Sequence, residues 1–581
     1  MKTKVLPVIL SLVMLITMVP KLELRASGDD STITDEQGIE YELNDNGTAT
    51  VLGPKKTPRI GQKFVIPAEI NGYRVTEIAD NAFDIGRLDS TDYSNDHYEG
   101  VVGRVTVEFQ SPNYIEIIGK RAFSGCDIPA GEIILDHLKE LRNEAFYACN
   151  FANGKARSSD EYYYDLNDYD DFEFNSVTID ISKSSLTTLG VNAFTICRGL
   201  REVKLPENLS NLNCAFRYCY DLEVLKIPAG VTKLNNNEFY YCHRVKLNEL
   251  PPELTEIGMN AFMCCKNLGF KKIPDSVVDI DDGAFSKTRF KDGELTFPSG
   301  LDKINAYMFW GSELIRLNIP SSIEKIGHHM ASGSKITCIN SSIDGEVHLP
   351  TGLKSIGMMA FSGCKNIEWM SIPSSVTFIG GNVFQNCINL RAINAPKYSK
   401  IANIPEGVDT IGEKEDKDPW NMGVFENCPG IEVINLPNSL RRIEYGVFAG
   451  CRASINSPMG SKVLNIPRGV EHIGRGAFNH SDFEEVIIPD SVKEIGSNVF
   501  AGCPLRNIII SPNSCLEKIY DDDSDWYKIE YQYCPKETVN VYILCGDNEA
   551  EGKRLTAILA NLLPTWEDVK VENIRINQED F

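Results

Sequence analysis

Cysteine, histidine and clustered carboxylates are the side chains that most often do chemistry, and this chain of 581 residues holds 17 cysteines, 8 histidines and 81 acidic residues. Their spacing excludes most of the usual uses. Zinc sites need ligands in close pairs such as Cys-x-x-Cys, and no such pair occurs. The histidines are scattered, with His328-His329 the only adjacent pair, and neither His-Glu-x-x-His nor Gly-x-Ser-x-Gly is present. Gly546 to Gly552-Lys553 approaches a phosphate-binding loop, but its span is one residue too long, it carries Glu549 and Glu551, and it lacks the following Ser or Thr. Asp521, Asp522 and Asp523 could hold calcium weakly, without the Asp-x-Asp-x-Asp-Gly loop of a dedicated site. No catalytic residue, metal or cofactor is therefore assigned. A hydrolase would need convergent carboxylates in a pocket, which spacing does not reveal.

The cysteines do follow a rule. Eleven of them lie three residues after a phenylalanine: Cys126, Cys149, Cys197, Cys219, Cys242, Cys265, Cys364, Cys387, Cys428, Cys451 and Cys503. Thr288, Ser312, Ser334 and Ser481 stand at the same place in other units. That exchange predicts a small, nearly apolar buried position and not a bond, because stacked equivalent side chains point the same way. Cys515, Cys534 and Cys545 fall outside the rule, and two of them could pair in an oxidising compartment.

What positions these residues is a repeat. Phe216, Phe239, Phe262 and Phe285 are 23 residues apart, Phe309 follows after 24, and copies run from Phe83 to Phe500 with Ala331 in place of one ring. The unit around Phe384 is complete: Ile372-Pro373, Val376, Ile379-Gly380, Val383-Phe384, Cys387, Leu390, Ile393. Alternating residues before each Ile-Pro or Leu-Pro predict a short strand, which proline ends because it has no ladder donor. Glycines such as Gly380 and Gly496 are expected to permit a tight bend. One such coil cannot bury its apolar residues, whereas stacked coils bury them against their own copies. Each buried phenylalanine contributes about 1.5 to 3 kcal/mol. About 16 coils of roughly 23 residues, one strand spacing apart, would form a rod or arc about 75 Å long.

The unit Ile-Pro-x-x-Val-x-x-Ile-Gly-x-x-Ala-Phe-x-x-Cys-x-x-Leu-x-x-Ile resembles the BspA-like leucine-rich repeat of secreted and surface proteins of bacteria, over about Pro67 to Pro512. The resemblance implies a repeat solenoid: right-handed, mostly β, with a parallel sheet on one side and roles in adhesion or protein binding. It implies no catalytic residue. Departures at Ala331 and in several inserted loops are expected to bend or loosen the stack.

The rest of the chain is read around this array. Lys2 and Lys4, the apolar run Val5 to Val19 and the small residues Ala26, Ser27 and Gly28 read as a secretory signal peptide over residues 1–28, since spanning a bilayer takes roughly 20 apolar residues. Residues 29–66 are expected to form a β-hairpin cap around Asn46-Gly47, residues 67–512 the leucine-rich repeat solenoid, and residues 513–581 a small α/β C-terminal cap. An independent binding domain is the alternative for that last segment. With 58 basic against 81 acidic residues, the net charge of -23 repels phosphate backbones and anionic membranes, so neither nucleic acid nor a membrane span is expected of the mature chain.

Specificity is expected on two surfaces. Loop 150–175 sets Tyr162, Tyr163, Tyr164 and Tyr169 among Asp165, Asp168, Asp170 and Asp171, where a solvated acidic loop is the plain alternative. Between the buried strand letters lie Arg201, Glu223, Arg316, Trp369, Arg391, Glu432 and Glu484, with Trp369 and Arg391 expected side by side as an interface pair. The expected function is an exported module that binds protein or another extracellular macromolecule as an adhesin, without catalysis. A self-associating structural surface component is the alternative; the ligand and oligomeric state stay open.

Overall fold

The computed structural model describes residues 31–59, 61–84, 105–151, 177–413, 423–510, 514–520, 539–543, 554–555 and 571–575. The chain divides into two compact units, Met1–Leu222 and Glu223–Phe581. Both are built mostly from short parallel strands.

In the first unit, Asn46-Gly47 turns the chain between Ile39–Leu43 and Thr48–Pro54, which pair antiparallel; Gly47 takes the positive φ of 80° that such a turn requires. Thr48–Pro54 then pairs in parallel with Tyr73–Ile78, which continues to Ile117–Ile118 and Glu140–Leu141. The hairpin thus covers what would be the open edge of a parallel ladder. A second set, Gly131–Ile134, Val177–Asp180 and Leu200–Lys204, is parallel throughout.

The second unit carries two nine-stranded parallel sheets and one of five strands. One nine-stranded sheet keeps Leu317, Ile339, Val347, Met370, Ile393, Ala402, Ile434 and Ile455 in a single row, and the other keeps Ile304, Ile326, Ile356, Ile379, Ile411, Ile443, Ile473 and Ile495 in another. Both rows are buried. Parallel in-register stacking is what places like residues over like. Val539–Ile543 and Val571–Arg575 add to the five-stranded sheet in parallel beyond Asn507–Ile510. Of the helix expected near Glu549 to Leu563, only Arg554 and Leu555 lie among the described residues; both are helical, and Arg554 donates to the carbonyls of Leu516 (2.7 Å) and Ser514 (2.9 Å).

The phenylalanines stack. Successive ring centroids lie between 5.1 Å (Phe123 and Phe146) and 6.3 Å (Phe361 and Phe384) apart, and the planes of Phe262 and Phe285 differ by 3°. At Ala331, where loosening was expected, the backbone ladder runs through: Phe309 N donates to Met330 O and Ala331 N to Ala360 O, both at 2.7 Å, and Met330 and Ala331 are fully buried.

One local expectation changes. Gly380 and Gly496 do not adopt positive φ. Each is glycine because the preceding coil is too close: a Cβ would sit 2.4 Å from Met358 N at Gly380 and 2.4 Å from Arg475 N at Gly496. The left-handed bend falls two residues later, at Asn382 and Asn498, both with φ of 55°. The repeat cysteines are free and buried, as expected, and many of them also donate a hydrogen bond. The thiols of Cys149, Cys197, Cys219, Cys364, Cys387, Cys428 and Cys503 each reach the carbonyl oxygen of the residue at the phenylalanine place one coil earlier, at 2.8 to 3.1 Å. Ser481 Oγ does the same to Phe448 O at 2.7 Å. Thr288 Oγ1 turns instead to Phe285 O of its own coil at 2.6 Å, so what Cys, Ser and Thr share at this place is small size and a hydrogen that can be donated.

Candidate binding surface

The proposed surface residues fall into separate places. Tyr162, Tyr163, Tyr164 and Tyr169 lie outside the described residues. Arg201 is exposed in the first unit, at a bulge: Val177 pairs with Leu200 and Thr178 with Glu202, leaving Arg201 as the extra residue. Arg316, Trp369 and Arg391 belong to the second unit.

Trp369 and Arg391 are not neighbours in register. Trp369 opposes Ala392, its indole N–H donates to Ala395 O at 2.7 Å, and its ring lies 5.1 Å from that of His348. Arg391 instead covers the Tyr398 ring at 5.6 Å. The reason is a one-residue phase error: Arg391 N donates to Glu368 O, so Arg391 follows Glu368 in the coil and Trp369 is matched by the next residue. Arg316 is half-buried and already held by Asp344 at 2.6 Å and the Ser342 carbonyl at 3.0 Å. Glu432 pairs with Lys400, Glu484 with Arg506 at 3.5 Å, and Glu223 with Lys246. Such exposed pairs contribute little each, so most of these positions are a solvated ionic face.

Sequence reasoning missed a different feature. Three insertions are not loops but short coils, each adding one lane. Ile339 pairs with Val347 eight residues later, and Ile393 with Ala402 nine residues later. Ser454–Ile455, the last strand of the nine-stranded sheet, leads through a third short link to Val463–Asn465, the first of the five-stranded sheet; no strand ladder pairs these two, but Asn456 and Asn465 exchange side-chain-to-carbonyl bonds at 3.2 and 3.0 Å. Each short coil opens with an asparagine at positive φ: Asn340 (51°), Asn394 (48°) and Asn456 (47°). Its Oδ1 accepts from the backbone of the coil before (Ile319, Ile372 or Leu436) at 2.7 to 2.9 Å, and its Nδ2 donates to the strand after (His348, Asn403 or Asn465 O) at 3.2 Å. The signal in the sequence was there: Ile339-Asn340, Ile393-Asn394 and Ile455-Asn456.

Each short coil exposes one large apolar side chain. Ile343 is 53% exposed, Tyr398 59% and Met459 52%. The strand order sets them three lanes apart, about 14 Å at the usual strand spacing. Glu346 accepts from Lys397 at 3.3 Å, tying the first short coil to the second.

The chemistry available elsewhere is slight. Burial pushes the thiols of Cys364, Cys428, Cys451 and Cys503 up to about 12, so they are neutral donors and poor nucleophiles. Among the described residues no group of three or more His, Cys, Asp or Glu is placed to hold a metal ion, and no helix is long and apolar enough to cross a membrane.

The model of the BspA type leucine rich repeat region matches this chain in six copies, at residues 105–212, 166–291, 255–343, 337–408, 420–462 and 459–522. The chain belongs to the BspA-type leucine-rich repeat family. Solved structures share this repeat at low identity. A leucine-rich repeat protein from Bacteroides ovatus is 18% identical over 84% of this chain and 98% of its own, with a TM-score of 0.40. The pneumococcal vaccine antigen PcpA is 15% identical over 94% and 99% (TM-score 0.31). A leucine rich cell surface protein from Faecalibacterium prausnitzii is 16% identical over 87% and 96% (TM-score 0.28). No curated protein matches the chain. In this BspA-type chain the short coils are additions to the repeat and leave its apolar rows intact.

Proposed function

We propose that this BspA-type protein is an exported recognition module that binds a protein of a host or neighbouring cell and performs no catalysis. The observation that carries the reading is the trio of short coils. Ordinary coils expose apolar side chains too, Val278 at 62% among them, but these three recur at regular spacing on asparagine-bracketed backbones that hold the tips in place before any partner arrives. Apolar and aromatic side chains presented by a rigid frame are the usual anchors of protein interfaces, since little ordering cost remains on binding. Arg391 over Tyr398 and Trp369 beside His348 extend that surface with the residue types favoured at interface centres.

The test is titration of purified extracellular-matrix and cell-surface proteins against the chain and against a variant carrying Ile343→Ser, Tyr398→Ser and Met459→Ser. Saturable binding that falls at least tenfold in the variant, at an unchanged melting temperature, supports recognition. Binding unaffected by the variant removes the surface, and loss of self-association in place of foreign binding favours a structural component.

A further inference from the structure

The parallel ladder of the first unit has a gap. Lys63–Ile66 and Thr106–Phe109 form a sheet of two strands, while Gly131–Ile134 starts another with Val177–Asp180. Thr106–Phe109 and Gly131–Ile134 belong to successive coils, yet among the described residues no ladder joins them. The cause is local. The two coils are zipped at Asp127, which donates to Val105 O at 2.8 Å and accepts from Val107 N at 3.0 Å. The next parallel bond would run to the Val107 carbonyl from residue 129, which is proline and has no N–H. Beyond it the chains part, and a cleft of about 300 Å³ opens between the two strands.

Parallel strands turn the backbone groups of alternate residues to the same side. Thr106 N donates to Gln62 O and Gln110 N to Ile66 O, both at 2.9 Å, so Phe109 turns its N–H and carbonyl toward the cleft. On the other wall Leu135 N donates to Asp180 O at 2.9 Å, which leaves Glu132 and Ile134 facing the cleft. The Ile134 carbonyl is taken by Asn113 Nδ2 at 2.9 Å. Among the described residues, no hydrogen bond reaches the N–H of Phe109, Glu132 or Ile134. The far wall is also exposed, with Ile134 at 42%. Open edges of this kind are templates for another strand. Among the described residues, the only charged ones lining the cleft are Glu108 and Glu132. Glu108 pairs with Lys63 at 2.6 Å and Glu132 with Lys204 at 2.7 Å, both outside the cleft, and among the described residues no cation lines the gap between the two carboxylates.

We propose that this cleft receives an extended segment of a partner polypeptide, which adds as a strand between Thr106–Phe109 and Gly131–Ile134 with a basic residue between Glu108 and Glu132. What is open is a ladder of main-chain groups, which only an extended backbone supplies in series. A guest Lys or Arg would stand between the two carboxylates, one on each wall. The site is independent of the short-coil surface.

The probe is a fluorescein-labelled heptapeptide of alternating valine and lysine, titrated against the full chain by fluorescence anisotropy, with amide hydrogen exchange on the same samples. Saturable binding is expected, at least tenfold weaker when glutamate replaces lysine, when alternate peptide nitrogens are methylated, and with Glu132→Lys or Ile134→Pro. Methylation keeps the charge, so it separates strand addition from attraction of a cation to an acidic chain. The amides of Phe109, Glu132 and Ile134 should exchange fast in the free chain and slowly in the complex. Absence of saturable binding, indifference to methylation, or amides already protected before peptide is added, whether by this chain or by a second copy, overturns the proposal.

Discussion

The thiol of Cys387 lies 3.1 Å from the carbonyl oxygen of Phe361, one coil earlier, and points its hydrogen at it. The contact recurs in both units, at Cys149, Cys197 and Cys219 and at Cys364, Cys428 and Cys503, and links those coils to their predecessors at the point where the chain leaves the phenylalanine turn. That carbonyl already accepts from Cys364 N within its own turn at 3.0 Å, so the thiol adds a second bond, one that ties the next coil to it.

Cys387→Ala should destabilise by about 0.5 to 1.5 kcal/mol because it removes the bond between the two coils, while Cys387→Ser, which keeps a donor, should cost less. Urea unfolding of the two variants checks this. Equal losses would mean that the thiol acts by volume alone.

Phe262 sits between Phe239 and Phe285 at 5.6 and 5.5 Å. Phe262→Ala is expected to cost about 3 to 5 kcal/mol, the range for a large cavity in a well-packed core. Nearest-neighbour stacking predicts that hydrogen exchange accelerates first in the adjoining coils and last near the hairpin end of the first unit.

Asn394→Ala should lower stability by about 1 to 3 kcal/mol, since it removes the acceptor for Ile372 N and the donor to Asn403 O at a backbone of positive φ. Asn394→Gly relieves the backbone but not the bonds, and should recover only part of the loss. If Gly restored full stability in thermal unfolding, the bracket would be a matter of φ and not of hydrogen bonding.

His243 is buried, and burial, with Lys266 and then Arg244 nearby, lowers its pKa from 6.5 to about 4. The unfolded chain therefore takes the proton first as pH falls. Its contribution is present in full above pH 6.5 and is lost as pH drops from 6.5 through 4, by about 3 kcal/mol at most. His243→Leu should flatten the fall in urea midpoint between pH 7 and pH 5. An unchanged slope would place the acid sensitivity elsewhere.

The repeat, its buried letters and its parallel stacking were legible in the chain because every coil must present the same side chains at the same places; Phe262, Ile379 and Cys387 each announce their role through their copies. Three things were not legible. Gly380 is glycine because of Met358 in another coil, which no local rule contains. Trp369 and Arg391 look adjacent by spacing, but ladder register, set by a single residue of phase, pairs Trp369 with Ala392. The short coils after Asn340, Asn394 and Asn456 look like insertions, and only the hydrogen bonds that their asparagines make to strands on either side turn them into extra lanes. Periodicity determines what is buried, because burial depends on a residue's own polarity and place in the unit. Contacts between coils decide what is presented outward, because they depend on how far the chain has advanced when it returns.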